Sequence, residues 1–343
     1  MNSVDRITAT LQGSPADRVP VVAQVFGHAA ILAGISLGSY VRDGSLLARC
    51  QIEALRYYKY DAVFALMDTS VETEATGSVL NYSPGDYPTV KSFALSNPDY
   101  LDRLSIPDPH RAGRMPELLK AARLLRKDVG DRTLVVGCVL GPLTITTQLM
   151  GIQNAIYCAI DEPDRFAEIL DFATALAKVF GESQLDAGIH LPVVFDPSAS
   201  PAVVPPGFFR EFELPRLRIL FSFLKAHGSA ANWLHIAGPA APILPYYQEA
   251  GVDIANFDYP VSAAEAQTRL PVTCLDGNIK PLLFVEADPG EITREANLLL
   301  DQFAVRGRFI LSSGCEIPPE SRPGNILAMV KAAKNIGRDP CRS

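Results

Sequence analysis

Short, continuous apolar runs recur along the chain, each followed by a stretch whose apolar positions return at helical spacing. Eight such runs predict strands at residues 19–26, 61–68, 133–140, 192–196, 231–237, 254–258, 272–276 and 308–313. Helices are predicted at 45–58, 115–129, over a long region ending near 187, at 207–226, from 241, and at 263–268, 291–303 and 323–335. In the first of these, Leu46, Leu47, Cys50, Ala54 and Tyr57 share one face. Residues 76–91 read as a hairpin insertion after the second strand, because SPGD is a turn between two β-prone pieces. Parallel strands need crossovers of helix size, and strands buried on both faces read as unbroken apolar runs. Eight strand–helix units predict an α/β fold of the closed (β/α)8 TIM-barrel type, one domain over 1–343 with an N-terminal extension.

Composition agrees with a packed core: 48% of the 343 residues are hydrophobic and 20% are charged. The net charge of −7 and the lack of any basic stretch exclude phosphate-backbone binding, so no nucleic-acid partner is expected. No apolar segment reaches membrane-spanning length, and the first residues lack a basic region followed by an apolar core. A cytoplasmic protein with no membrane contact is expected. Six cysteines (Cys50, Cys138, Cys158, Cys274, Cys315 and Cys341) form no CxxC pair and read as free thiols in a reducing compartment, with Cys341 an exposed, incidental one. Neither GxGxxG after the first strand nor GxxxxGK[ST] occurs, so there is no dinucleotide or P-loop signature.

In a barrel of this kind, chemistry sits where strands run into loops. The predicted strand ends carry Phe26-Gly27-His28, Asp68, Asp196, His235, Asp258, Asp276-Gly277-Asn278 and Ser313-Gly314-Cys315-Glu316. Each acid alone could be a helix cap; polar endings on seven strands of one rim are more than capping requires. His235 and Cys315, on strands facing each other across the mouth, are soft-metal donors and the leading catalytic candidates with Asp196. His28, Asp68, Asp258, Asn278 and Glu316 are the candidate substrate-binding residues. His28 also suits a helix start, and His110, His190 and His227 fall away from the rim.

Residues 234–281 (LHIAGPAAPILPYYQEAGVDIANFDYPVSAAEAQTRLPVTCLDGNIKP) resemble the uroporphyrinogen decarboxylase superfamily. Within it, they are similar to the methylcobamide:coenzyme M (thiol) methyltransferase branch. ADRVPVVAQVFGHAAILAG, GPLTITTQLMG, DPSASPAVVPPGFFREFELP and ILSSGCEIPPESRPGNILAMVKAA extend the likeness over nearly the whole chain. The resemblance implies a TIM barrel and a zinc held by a His-x-Cys pair and a later Cys. It also implies transfer of a methyl group between a thiol and methylcobalamin carried by a partner corrinoid protein. His235 and Cys315 match the first and last ligands, but Ala237 stands where the branch has its middle cysteine. Glu316, Asp196, Asp258 or Cys138 could replace it, metal could bind weakly, or the chemistry could have moved to methoxylated substrates. The decarboxylase branch carries an arginine-rich MRQAGRY-like motif; the matching stretch here, Gln24 to Ala30, has no arginine. A decarboxylase acting on a carboxylated substrate, or a non-catalytic cobamide or metabolite binder, are the alternative readings.

Overall fold

The computed structural model of the protein describes residues 1–336; Cys341 lies outside them. Seven strands form one parallel sheet: β1 (Ala62–Phe64), β4 (Leu134–Leu140), β5 (Leu191–Phe195), β6 (Trp233–His235), β7 (Ile254–Asn256), β8 (Cys274–Ile279) and β9 (Phe309–Ser313). They are ordered as they follow in the chain, with helices between them, which gives an α/β, TIM-barrel-like architecture. Their side chains are almost all buried, as the unbroken apolar runs require. The hairpin is present as an antiparallel pair, β2 (Val79–Asn81) with β3 (Thr89–Ser92).

The predicted strand at 19–26 is the main departure. It forms no regular strand, only a parallel bridge between Val21 and Leu311. Pro20 has no N–H to donate, and the segment divides its hydrogen bonds between the two edges of the sheet. Leu311 N donates to Pro20 O (2.9 Å) and Val22 N to Leu311 O (3.0 Å) on the β9 side, while Asp61 N donates to Val21 O (2.8 Å) beside β1. Residues 20–22 therefore bridge the edges that an open sheet would leave unpaired. A smaller departure concerns β8, which runs on to Ile279 rather than stopping at 276. That places Asp276 within a buried strand, where its Oδ2 accepts from Asn256 Nδ2 at 3.0 Å, and not at the rim. The long region ending near 187 divides into helices Pro142–Met150, Ile152–Asp161 and Pro163–Asp186, with prolines at two of the three starts. No helix among the described residues is long and apolar enough to cross a membrane.

The bridge rests on Asp61, which is 1% exposed. Its Oδ1 accepts from Arg6 Nη1 (2.7 Å), Arg18 Nη2 (2.9 Å) and Ser3 Oγ (2.8 Å). Its Oδ2 accepts from Arg18 Nη1 (2.8 Å) and the backbone N–H of Val21 (2.7 Å). One carboxylate thus ties the N-terminal helix (Ser3–Gln12) and the bridging segment to β1. Asp61→Asn would leave the largely buried Arg18 guanidinium without its carboxylate and Arg6 with Asp17 alone. It is expected to cost about 3–5 kcal/mol, read as a lower urea midpoint at constant slope; a loss below ~1 kcal/mol would contradict this role.

Candidate functional site

His235 ends β6, and its carbonyl accepts from Asp196 N at 3.0 Å, so β5 and β6 leave the sheet at one level. Cys315 follows β9 by way of Gly314, whose N–H donates to Ile279 O at 2.8 Å. A Cβ at Gly314 would run into the Asp258 carboxylate and Tyr259 N, so only glycine lets the chain pass there on its way to Cys315. His235, Ala237, Cys315 and Glu316 all line one cavity of about 200 Å³. Its apolar walls are Phe26, Leu66, Phe195 and Pro197, and Asp68, Thr69 and Tyr87 complete the polar part. Phe195 stands 4.4 Å from the His235 ring and 6.0 Å from Phe26, while Phe26 packs edge-on against Phe64 at 4.9 Å. Phe26 and Phe195 thus give the cavity an aromatic wall, backed by Phe64.

Burial governs the ionisable groups. His235 is 2% exposed, its Nε2 has no hydrogen-bond partner, and burial pulls its pKa down to about 3, so the imidazole is neutral. Burial pushes the Cys315 thiol up to about 11, against a small opposing backbone hydrogen bond. Glu316 is pushed up to about 7, again by burial first, although its Oε1 accepts from Tyr87 O–H (2.6 Å) and Gly27 N (3.2 Å).

The other candidates are engaged elsewhere. Asp68 reaches the cavity, but Arg114 takes both its oxygens and Ser70 bonds Oδ1 as well. Asp196 lies outside the cavity. Its Oδ1 accepts from Thr144 N (2.9 Å) and Oγ1 (2.6 Å), capping the helix after β4. Its carboxyl also meets that of Glu213, which burial and the Asp196 charge hold protonated well above the usual range. Asp258 ties two loops together, with Oδ2 accepting from Gly238 N (2.8 Å) and Oδ1 from Tyr259 N (2.7 Å). Asn278 donates to Val261 O at 2.8 Å. His28 is buried with Nδ1 donating to Pro319 O (2.9 Å) and Nε2 accepting from Tyr58 O–H (2.7 Å), which leaves its ring nothing to offer a ligand. Sequence reasoning missed Tyr87, Arg114 and Glu213. Tyr87 arrives from the hairpin, and no spacing pattern ties it to a residue more than two hundred positions away.

The donor set does not fit a three-ligand zinc centre. No three His, Cys, Asp or Glu side chains among the described residues group in a way that could hold a metal. His235 and Cys315 supply two donors; Ala237 supplies none, and Asp196 and Asp258 are turned to the contacts above. Glu316 lines the cavity with Oε1 bonded to Tyr87 but does not group with His235 and Cys315 as a metal site, and Cys138 is buried in β4 away from the cavity lining. Ala237→Cys restores the third donor on the cavity wall and is expected to raise zinc content to about one per chain by elemental analysis. Unchanged zinc content would show that the local geometry no longer brings these three positions together.

The uroporphyrinogen decarboxylase (URO-D) family matches residues 2–336. The chain is 29% identical over 336 residues to the methylcobamide:CoM methyltransferase MtaA of Methanosarcina barkeri, covering 95% of this chain and 96% of that protein. It is 24% identical over 343 residues to the uroporphyrinogen decarboxylase of Geobacter metallireducens, covering 95% and 97%. The solved structure of a methyltransferase from Methanosarcina mazei matches with a TM-score of 0.89 at 25% identity, covering 98% of this chain and 99% of that one. The cavity at the strand ends is therefore set in a chain that belongs to the uroporphyrinogen decarboxylase family.

Proposed function

We propose that the protein is a corrinoid-dependent methyltransferase. It moves a methyl group between a cobalamin carried on a separate corrinoid protein and a small thiol or methoxylated substrate seated in the cavity. The observation that carries this reading is the lining itself: His235 and Cys315 in a small, mostly apolar space with no lysine or arginine among the described lining residues. Methyl transfer is a displacement at one carbon, and it asks for alignment and exclusion of water more than for fixed charge. Phe26, Leu66 and Phe195 exclude water. The neutral His235 and the protonated Cys315 orient the polar end of the substrate, and the cobalamin approaches over the loops at the same rim. No step is routed through zinc, because the donor set stops at two.

Decarboxylation of uroporphyrinogen receives no support from this lining. A tetrapyrrole with many carboxylates needs cations around it, and 200 Å³ is below the ~300–1,000 Å³ of pockets that enclose drug-sized ligands. Arg114, which bonds the lining residue Asp68, is also held by Glu74 and the Val41 carbonyl.

Methylcobalamin consumption, followed by its absorbance, is expected with small thiols, or methylation of reduced cobalamin by methoxylated compounds. No carbon dioxide should be released from uroporphyrinogen. His235→Ala should lower kcat/KM by roughly 10²-fold while the melting temperature moves little. Carbon dioxide release without methyl transfer would overturn the proposal.

A further inference from the structure

The cavity has an uneven charge inventory. Of its two carboxyl groups, Asp68 is matched: Arg114 Nη1 and Nη2 bond both its oxygens. The remaining N–H groups of Arg114 go to Glu74 (2.6 Å), Val41 O (2.9 Å) and Ser70 Oγ (3.4 Å), so the guanidinium has nothing left for a ligand. Glu316 is unmatched. It makes no ion pair among the described residues, and only its Oε1 is hydrogen-bonded, to Tyr87 and Gly27. Tyr87 bonds it directly, Phe26 and Phe195 line the same cavity, and the buried His235 Nε2 has no partner. One carboxyl in an aromatic-walled space is the arrangement that binds quaternary and methylated ammonium groups, because ring faces and a carboxylate both attract a weakly hydrated cation. An anion would meet the opposite: Glu316 and no cation to offset its desolvation.

We infer that the small substrate of this cavity carries an ammonium group seated against Glu316 within the aromatic walls, with His235 hydrogen-bonding its polar end. The inference rests on the cavity being the substrate site of the proposed methyltransferase, and it separates this chain's substrate from anionic thiols of the same size. Three features of the residues present fix the class: the spent Arg114, the unpaired Glu316 and the rings of Phe26, Phe195 and Tyr87. The limited volume restricts the group to a small head such as trimethylammonium.

Calorimetric titration of the full chain with tetramethylammonium and choline, beside methanesulfonate and 2-mercaptoethanesulfonate, tests this without any variant. The ammonium probes are expected to bind at least about tenfold more tightly than the anions. Glu316→Gln should weaken ammonium binding about tenfold, and Phe195→Leu should weaken it several-fold. Tighter or equal binding of the anions, binding of neither class, or an unchanged ammonium affinity in Glu316→Gln overturns the inference. Methyl transfer with an anionic thiol and no ammonium binding overturns it while leaving the methyltransferase reading intact; ammonium binding without any methyl transfer does the reverse.

Discussion

The buried carboxylate of Asp61 pins the segment that bridges the two edges of the sheet. Two arginines, a serine and a backbone N–H converge on it, and through them the bridging segment 20–22 is held between β1 and β9. That segment leads directly to Phe26 and Gly27, and β9 leads directly to Cys315 and Glu316. Fixing the bridge therefore sets one wall of the cavity against another. Gly27 N donates to both Tyr87 Oη (2.8 Å) and Glu316 Oε1, so three distant parts of the chain meet at one N–H group. A buried ion cluster is costly to assemble and costlier to break singly, which makes it an effective pin for register.

Around that pinned ring, each acid is assigned a task by what it can bond. Asp196 caps a helix beside the protonated carboxyl of Glu213, Asp258 ties loops, and Asp68 neutralises Arg114. Asp276, held up to about 7 by burial, sits inside the strand layer with Asn256. Among the described lining residues, Glu316 is the one carboxyl without a cation partner. His235 and Cys315 face the cavity in neutral form: burial lowers the imidazole, and burial together with the nearby Asp258 and Glu316 raises the thiol. The resulting space is mostly apolar, aromatic and small, which suits the movement of a methyl group better than the binding of a polyanion.

Much of this was legible in the sequence. Seven of the eight apolar runs became parallel strands, since residues buried on both faces leave a pattern that needs no tertiary knowledge. The SPGD turn foretold the hairpin, and His235, Ala237, Cys315 and Glu316 were readable as rim residues from their positions after β6 and β9. The run at 19–26 misled because apolarity does not reveal whether a segment pairs along its length or only at one residue. Asp196, Asp258 and His28 also stood in rim-like positions, but their partners Thr144, Glu213, Gly238 and Pro319 come from other elements. Whether a polar side chain is free for chemistry is decided by those long-range partners. The same limit hid Arg114 and Tyr87.

The proposed methyl transfer takes place in the cavity beside His235 and Cys315. Filling that space tests it: Ala237→Leu adds apolar bulk to the wall shared with His235 and Cys315 and leaves the Asp61 cluster untouched. Methyl transfer from methylcobalamin should fall to background in this variant while its melting temperature stays close to that of the parent. Undiminished turnover in a folded Ala237→Leu protein would place the chemistry elsewhere and contradict the account.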